Sequence, residues 1–422
     1  MDPIYLCTDR QIQLDRYQTR NALRRLGEIM HIPTVHPFPA RMAPDLALQS
    51  LSLLSEGSTI LDPMSGSGTV LRQALELGHH AIGFDMDPLA VLMSKVWTSH
   101  VDTTVVANEI AAVLSEALKI DLRSSRLSWL DDETSKFMEF WFAPQQRKAL
   151  TRLAFVLDQR RNSLLTAERE AALNLLQIAL SRIIITKEQV ASLARDTSHS
   201  RPHRVTRHSS YDVFSGFERS AQQLVRRVSD QHINGSSQIN LGDARKIDLA
   251  DNSVDAIMTS PPYLNAIDYM RGHRMSLVWL GHSITELRSI RSRTIGAERS
   301  ADDISESESV NIANSMCELD SLAGRQQGMI IRYAGDLIQM MEQAARVLKP
   351  NGTATYVVGN SCLKDIFIRN ADGVARAGEL AGLKLIESKE RELPAGSRYL
   401  PITISGSLSK RMRSETVLTF KV

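Results

Sequence analysis

Two short apolar runs, each ending in an aspartate, constrain the fold of this chain more than any other feature. Ser58-Thr59-Ile60-Leu61 runs into Asp62-Pro63-Met64-Ser65-Gly66-Ser67-Gly68-Thr69, and Ala81-Ile82-Gly83-Phe84 ends at Asp85. Between them the apolar spacing predicts a helix over 70–77. Asp87-Pro88 then opens another helix, with Asp87 as N-cap and proline at the first helical position. A strand–helix–strand–helix unit of this length implies a parallel sheet, because parallel neighbours need a crossover connection. The pattern returns at 238–241, followed by Gly242-Asp243, and at 254–258, followed by Thr259-Ser260-Pro261-Pro262-Tyr263. A helix predicted over 331–348 closes at Lys349-Pro350-Asn351-Gly352, and a strand follows over 353–358. Segments 384–390 and 415–422 read as a closing hairpin. The expected fold class is α/β: a doubly wound, mostly parallel, seven-stranded, Rossmann-like sheet with a helical insertion.

The alternation begins after an amphipathic helix predicted over 40–55 and is broken twice. Residues 101–235 carry helix-period apolar residues over 105–118, 132–157, 164–185 and 211–227, so they read as a helical insertion. Residues 283–325 are polar and change charge sign, from Arg288, Arg291 and Arg293 to Asp302, Asp303, Glu306 and Glu308, which predicts a second, mobile insertion. The core is therefore expected to be discontinuous, residues 1–100 and 236–422.

Composition excludes more than it assigns. The net charge of +2 is too small to argue for nucleic acid on its own, so any basic surface must be local. No stretch approaches the roughly 18–20 apolar residues of a membrane span. The first twenty residues hold no apolar signal core, so a cytoplasmic protein with no membrane partner is expected. Cys7, Cys317 and Cys362 share no metal-ligand or disulfide spacing, so no metal site is expected.

In an open parallel sheet, ligands bind beyond the carboxyl ends of the strands, and four motifs fall at such ends. In the first, Gly66 and Gly68 permit a tight turn and close approach of a ligand to the backbone. The third glycine of a dinucleotide fingerprint is missing and no lysine follows, which disfavours a pyrophosphate cradle and excludes a P-loop. Asp62, directly before the turn, suits a cationic ligand. In the second, Asp85 is placed to accept hydrogen bonds from ribose hydroxyls. In the third, Asp243 is either an acceptor for an adenine amino group or a simple turn aspartate. In the fourth, Pro261 and Pro262 stiffen the loop after a buried strand. Such a loop aims the Ser260 hydroxyl and the Pro261 carbonyl at one point, and Tyr263 offers a face on which a planar base can stack.

These residues resemble the amino-group DNA methyltransferases, and among them the cytosine-N4 group with its Ser-Pro-Pro-Tyr signature. Asp62-Pro63-Met64-Ser65-Gly66-Ser67-Gly68-Thr69 is similar to the family's cofactor motif, with Met64 where Phe is usual and Ser65 where Cys is common. His36-Pro37-Phe38-Pro39-Ala40-Arg41-Met42 is similar to a segment that precedes that motif in one branch and packs on the methionine end of the cofactor. Gly83-Phe84-Asp85-Met86-Asp87-Pro88 and Leu348-Lys349-Pro350-Asn351-Gly352 also match the general pattern. The resemblance covers about 33–95 and 238–360. It implies a site-specific enzyme of a bacterial restriction–modification system. S-adenosyl-L-methionine would be bound by Pro39, Ala40, Asp62, Pro63, Gly66, Gly68, Thr69, Asp85 and Asp243. Ser260, Pro261, Pro262 and Tyr263 would form the catalytic loop. The substrate would be double-stranded DNA with the target base flipped out, and a cognate restriction endonuclease would be a partner. When bound to DNA the protein would associate with the nucleoid. The family reading leaves open adenine N6 or RNA as target, and a catalytically silent binding module as a rival of another class.

The densest basic patch is Arg195, Arg201, Arg204 and Arg207, interleaved with His199, His203 and His208. It suits phosphate contacts and marks the 101–235 insertion as the DNA-contacting region. Arg291 and Arg293 are a second candidate. Trp129, Trp141 and Phe142 sit at helical spacing and are expected in the core. The sequence does not specify the recognition site or the oligomeric state.

Overall fold

The computed structural model describes residues 33–38, 41–188, 190–195, 202–229, 233–264, 268–296, 306–363, 366–393 and 414–422. Helix α1 (Pro44–Leu51) precedes strand β1 (Thr59–Asp62), helix α2 (Thr69–Glu76), strand β2 (His80–Asp85) and helix α3 (Pro88–Thr98). Helices α4 (Thr103–Lys119), α5 (Asp132–Trp141), α6 (Pro144–Arg161) and α7 (Ala167–Arg182) follow. A short ribbon of β3 (Ala194–Arg195) and β4 (His203–Arg204) leads to α8 (Val213–Val228). Strands β5 (Ser236–Leu241) and β6 (Val254–Thr259) come next, then helices α9 (Met270–Leu277), α10 (Ile284–Arg293), α11 (Glu306–Met316) and α12 (Gly324–Val347). The chain closes with β7 (Leu348–Gly359), a small hairpin of β8 (Ser361–Leu363) and β9 (Ile366–Ile368), helix α13 (Asn370–Leu380), and strands β10 (Lys384–Glu392) and β11 (Ser414–Lys421).

Seven strands make one sheet in the order β10-β11-β7-β6-β1-β2-β5. β1 lies parallel to both β2 and β6, and β5 and β7 extend the parallel run on either side. β11 runs antiparallel to β7 and pairs antiparallel with β10, so the expected closing hairpin is present. The mostly parallel seven-stranded sheet is thus as expected. From β1 the chain steps outward through β2 to β5, then crosses back to β6 on the other side of β1. The strand order therefore reverses between β1 and β6, which opens a crevice at their carboxyl ends. Ile60 and Leu61 at the sheet centre are fully buried, as a strand covered on both faces requires. β10, at the edge, carries Lys384, Glu387, Lys389, Glu390, Arg391 and Glu392, charges that discourage pairing with another chain.

Asp87 caps α3 as expected, its carboxylate accepting from Leu89 N at 2.9 Å with Pro88 in the first turn. Two expectations need correction. The helix predicted over 132–157 is two helices, because Pro144 bars α geometry at Ala143, which sits at φ −66°, ψ 153°. The 283–325 segment, expected to be mobile, is helical in its described residues outside short connections, and Ile312, Ala313 and Met316 are fully buried. Those three form an apolar stripe on α11 that its acidic first turn obscures.

The helical insertion is not a separate body. One hydrophobic cluster runs from Leu89, Met93 and Trp97 on α3 through Leu150, Leu176 and Phe217 to Met275 on α9 and Leu287 on α10. α7 and α8 also hold the segment before the glycine turn. Arg182 Nη1 donates to Val35 O at 3.0 Å, Arg227 Nη1 donates to Thr34 O at 2.7 Å, and His36 Nε2 lies 2.9 Å from Ser181 Oγ. Burial, and secondarily the charge of Arg227, lowers the Arg182 guanidinium to about 10.

Candidate active site

The two loops that carry the expected chemistry are neighbours. Leu61 of β1 pairs with Ile257 of β6, and just beyond that register Thr259 Oγ1 donates to Asp62 Oδ1 at 2.7 Å. Ser260 follows Thr259 directly, so its loop leaves the sheet beside the glycine turn. Asp62 Oδ1 also accepts from Met64 N at 3.2 Å, which starts the turn.

The turn is closed by backbone bonds. Ser65 N donates to Phe84 O at 2.9 Å, and Gly68 N donates to Ser65 O at 2.8 Å. Gly66 and Gly68 have φ of 51° and 87°, where a side chain is strained. A Cβ on Gly68 would also meet the Ser94 Cα of α3 at 3.0 Å, so glycine lets the turn seat against that helix. Asp85 clasps the turn from β2: its Oδ2 accepts from Gly66 N at 2.8 Å and its Oδ1 from Asp87 N at 2.9 Å. The Phe38 ring lies over Gly66 and stacks on Tyr269 with centroids 5.0 Å apart.

Electrostatics here are uncompensated. Burial raises the Asp62 carboxyl to about 7, against the hydrogen bonds from Thr259 and Met64, with Asp85 adding to the rise. Burial raises Asp85 to about 6, helped by the charge of Asp87 and opposed by hydrogen bonds and His273. Two buried carboxyl groups, hydrogen-bonded but with no ion pair to either among the described residues, favour a ligand that brings positive charge. Along the same turn the hydroxyls of Ser65, Ser67 and Thr69 are buried without a partner among the described residues. Buried polar atoms in that state are expected where a polar ligand completes the bonding.

The opposite wall is the Ser260 loop. Ser260 Oγ donates to Val357 O on β7 at 2.9 Å and lies 3.3 Å from Tyr263 Oη. With its proton committed to a carbonyl, the Ser260 oxygen presents lone-pair density, the character needed to accept an N–H. Pro261 is buried. The loop is also held from behind: Tyr333 Oη on α12 donates to Pro262 O at 2.9 Å, and Tyr333 is fully buried.

Comparisons with known proteins find sequence similarity to DNA methyltransferases. No family model matches the chain. The Type II methyltransferase M.MvaI of Kocuria varians is 22% identical over 414 residues, 92% of this chain and 90% of that one. M.BsoBI of Geobacillus stearothermophilus, also a Type II methyltransferase, is 24% identical over 259 residues, 56% of this chain and 50% of that one. The Type II methyltransferase M.MjaII of Methanocaldococcus jannaschii is 29% identical over 122 residues, 29% of this chain and 22% of that one. Over most of its length the chain is thus similar to Type II DNA methyltransferases. S-adenosyl-L-methionine fits the glycine turn: its cationic sulfonium suits the buried carboxyl groups, and its polar groups suit the unpartnered hydroxyls.

The other residues singled out in the sequence divide into several groups. Asp243 is engaged locally: its Oδ1 accepts from Arg245 N and Nε, each at 2.9 Å, and its Oδ2 pairs with Arg245 Nη2 at 2.7 Å. The ion pair takes up much of the carboxylate's bonding capacity and leaves Oδ2 room for a further donor, such as an adenine amino group. Arg195 and Arg204 lie on the exposed β3–β4 ribbon, and Arg207 is exposed just beyond it. Arg204 covers Phe140 of α5 at 5.1 Å, and Phe140 is 51% exposed. Of the aromatics expected in the core, Phe142 is fully buried, Trp129 and Trp141 partly so. Pro39, Ala40 and Arg201 lie outside the described residues. Among those described, no cluster of three or more His, Cys, Asp or Glu could hold a metal, and no helix is long and apolar enough to cross a membrane.

Sequence reasoning missed Tyr333 and His273. His273 Nδ1 is hydrogen-bonded to Asp87 Oδ2, and its ring lies 5.7 Å from that of Phe38. Burial opposes its charge, but Asp87, Asp85 and Asp268 together raise its pKa. Asp87 is held low because His273 and the α3 N-terminal amides outweigh its burial. The only linear signal for His273 was a histidine one turn after Tyr269 on a helix of mixed polarity. Tyr333 had none.

Proposed function

We propose that this methyltransferase moves a methyl group from S-adenosyl-L-methionine to the exocyclic N4 amino group of cytosine in duplex DNA, within a restriction–modification system. The observation that carries the reading is the 2.7 Å bond from Thr259 to Asp62, which sets the Ser260 loop beside the glycine turn. When bound, the cofactor supplies an electrophilic methyl group. Gly66, Gly68 and Thr69 line its seat, with Asp62 and Pro63 opening the turn and Asp85 facing the ribose; Pro39 and Ala40 are assigned to the cofactor by resemblance alone. The target cytosine, flipped from the duplex, stacks on Tyr263. Its amino nitrogen is a poor nucleophile because its lone pair is delocalised into the ring. Ser260 Oγ and the Pro261 carbonyl accept its two N–H bonds best when the nitrogen is pyramidal, as it becomes during in-line attack. The stabilisation is therefore specific to the transition state and is combined with positioning. No covalent intermediate is needed. A serine before the paired prolines supports cytosine over adenine. Arg195, Arg204 and Arg207, with Arg201 between them in sequence, supply phosphate contacts, and a cognate endonuclease shares the recognition sequence.

Duplex DNA incubated with methyl-labelled cofactor and digested to nucleosides tests the reading. N4-methylcytosine is the expected product. Label on adenine alone overturns the base assignment, and label on matched RNA but not on DNA overturns the substrate.

A further inference from the structure

α9 begins just after the catalytic loop and presents two different faces. Tyr269 and His273, four apart, face Phe38 and the cofactor side. Arg271 and Arg274, three apart, point the other way, toward α10 and α5. Arg291 of α10 joins them: Arg271 Nε and Arg291 Nε reach the same oxygen, Asp268 Oδ2, at 3.0 and 2.7 Å. Arg288, one turn earlier on α10, pairs with Glu133 of α5. Three guanidinium groups thus share two carboxylates, and Arg274 packs beside them. Arg274 lies over the Phe137 ring at 5.2 Å, and its Nε is buried without a hydrogen-bond partner among the described residues. Its pKa is lowered, by burial first and then by Arg291, with Arg271 and Arg288 adding to the drop and Asp268 opposing it. A fold that packs four arginines around two acids leaves an excess of positive charge that an anion of high charge density can neutralise, and arginine matches phosphate geometry.

We infer that Arg271, Arg274 and Arg291 form a seat for a backbone phosphate of duplex DNA next to the flipped nucleotide. This inference rests on the reading under Proposed function and deepens it. The catalytic loop delivers the base, and the helix that begins just beyond that loop grips the strand from which the base leaves. Asp268 holds Arg271 and Arg291 in place while the seat is empty, and phosphate displaces it. The seat adjoins the β3–β4 ribbon through α5: Arg274 lies over Phe137 and Arg204 over Phe140, and both rings contact Trp141, so the two sets of arginines form one basic face along the duplex.

The test measures the affinity of the full-length protein for an unmethylated duplex oligonucleotide across a salt series. Each phosphate contact contributes a slope of about −0.9 in log K against log salt. R271Q/R291Q is expected to lower the slope by about one contact and to weaken binding about fivefold near 0.15 M salt. Cofactor affinity and the rate at saturating DNA should stay within about twofold of the parent, since neither step uses these groups. R274Q should behave similarly. If its half-buried position destabilises it, the exposed Arg271 and Arg291 still decide the matter. D268N is the opposite probe: freeing two arginines should tighten DNA binding about two- to threefold. A folded R271Q/R291Q with the parental salt slope, or a D268N that binds DNA more weakly, overturns the seat. A larger loss on single-stranded RNA of the same sequence overturns duplex DNA as its occupant. If the unaltered protein fails to methylate DNA at all, the functional reading itself fails, and that result is distinct from the others.

Discussion

The strand-end site and the arginine faces are built in opposite ways. At the strand ends the functional groups are buried or half-buried and held by short hydrogen bonds in which the main chain takes part: Asp85 with Gly66 N, Asp62 with Met64 N, Ser260 with Val357 O, and Pro262 O with the Tyr333 hydroxyl. On the arginine faces the groups are long, exposed side chains held by rings and shared carboxylates, such as Arg204 over Phe140 and Arg271 with Arg291 on Asp268. Methyl transfer along a line between two atoms needs rigid positioning. A DNA backbone that must bend while a base leaves the stack is better met by charges that can shift. One region should therefore govern rate and the other affinity and its salt dependence.

The sharpest break of that division is Ser260→Ala. Removing the acceptor that holds the amino N–H should lower kcat by about 10²–10³, the range seen when one preorganised transition-state hydrogen-bond group is removed. Binding of S-adenosyl-L-methionine by calorimetry and of DNA by anisotropy should stay within about twofold. A near-normal turnover number would remove Ser260 from the chemistry. A large loss of cofactor affinity would mean the two loops are not separable in function.

Next in size is Asp85→Asn. A carboxylate hydrogen bond to a ligand is worth about 1.5–3 kcal/mol, so cofactor affinity should fall roughly 10- to 100-fold. The loss should appear in the cofactor KM, with the salt slope for DNA unchanged. Affinity equal to the parent's would deny Asp85 its ribose role.

The contrast also explains what could be read in advance. The sheet, its closing hairpin, the α3 cap and the two loops at the β1 and β6 ends were legible because each depends on residues close in sequence. Glycine, proline and aspartate at set offsets dictate a turn whatever surrounds them. The partners of Asp243 and Pro262 were not legible. Asp243 sits in a turn that serves a ligand or an ion pair equally well, and Arg245, two residues on, supplies the ion pair. Tyr333 reaches Pro262 from α12, across 71 positions of sequence. The arginine seat was half visible, as Arg291 without Arg271 or Arg274, because it assembles only when α9 and α10 pack.

Acidity gives a third, graded test. Asp62 and Asp85 titrate near 7 and 6 in the fold, above the usual carboxylate value. Groups raised in this way bind protons more readily when folded, so their contribution to stability is present at low pH and is lost as pH rises through 6 to 7. The raised His273 acts in the same direction, its ion pair weakening as it deprotonates. A cationic ligand has the opposite dependence. Cofactor affinity should be highest above pH 7, fall about tenfold over the unit between 7 and 6, and fall more steeply below 6, where both carboxyl groups take up protons. The thermal stabilisation given by the cofactor should shrink in parallel, and Asp85→Asn should flatten both curves. A flat profile in the parent protein would show that neither carboxyl group feels the ligand.

The smallest effect asked for is the most selective. Tyr333→Phe deletes one hydroxyl and one hydrogen bond, to Pro262 O, while keeping the ring that is buried in one hydrophobic cluster with Ile330, Leu337 and Met341. The net loss of such a bond is about 1 kcal/mol. If Tyr333 served stability alone, unfolding would shift by that amount and the kinetics would not change. If it positions the loop, kcat should fall about fivefold, because Ser260 and the Pro261 carbonyl then visit the productive geometry less often. The KM for cofactor should hold. The KM for DNA should hold too, since the arginine faces, not this loop, grip the duplex. An equal loss in kcat and DNA affinity would instead show that the rigid and the adaptable regions are one unit.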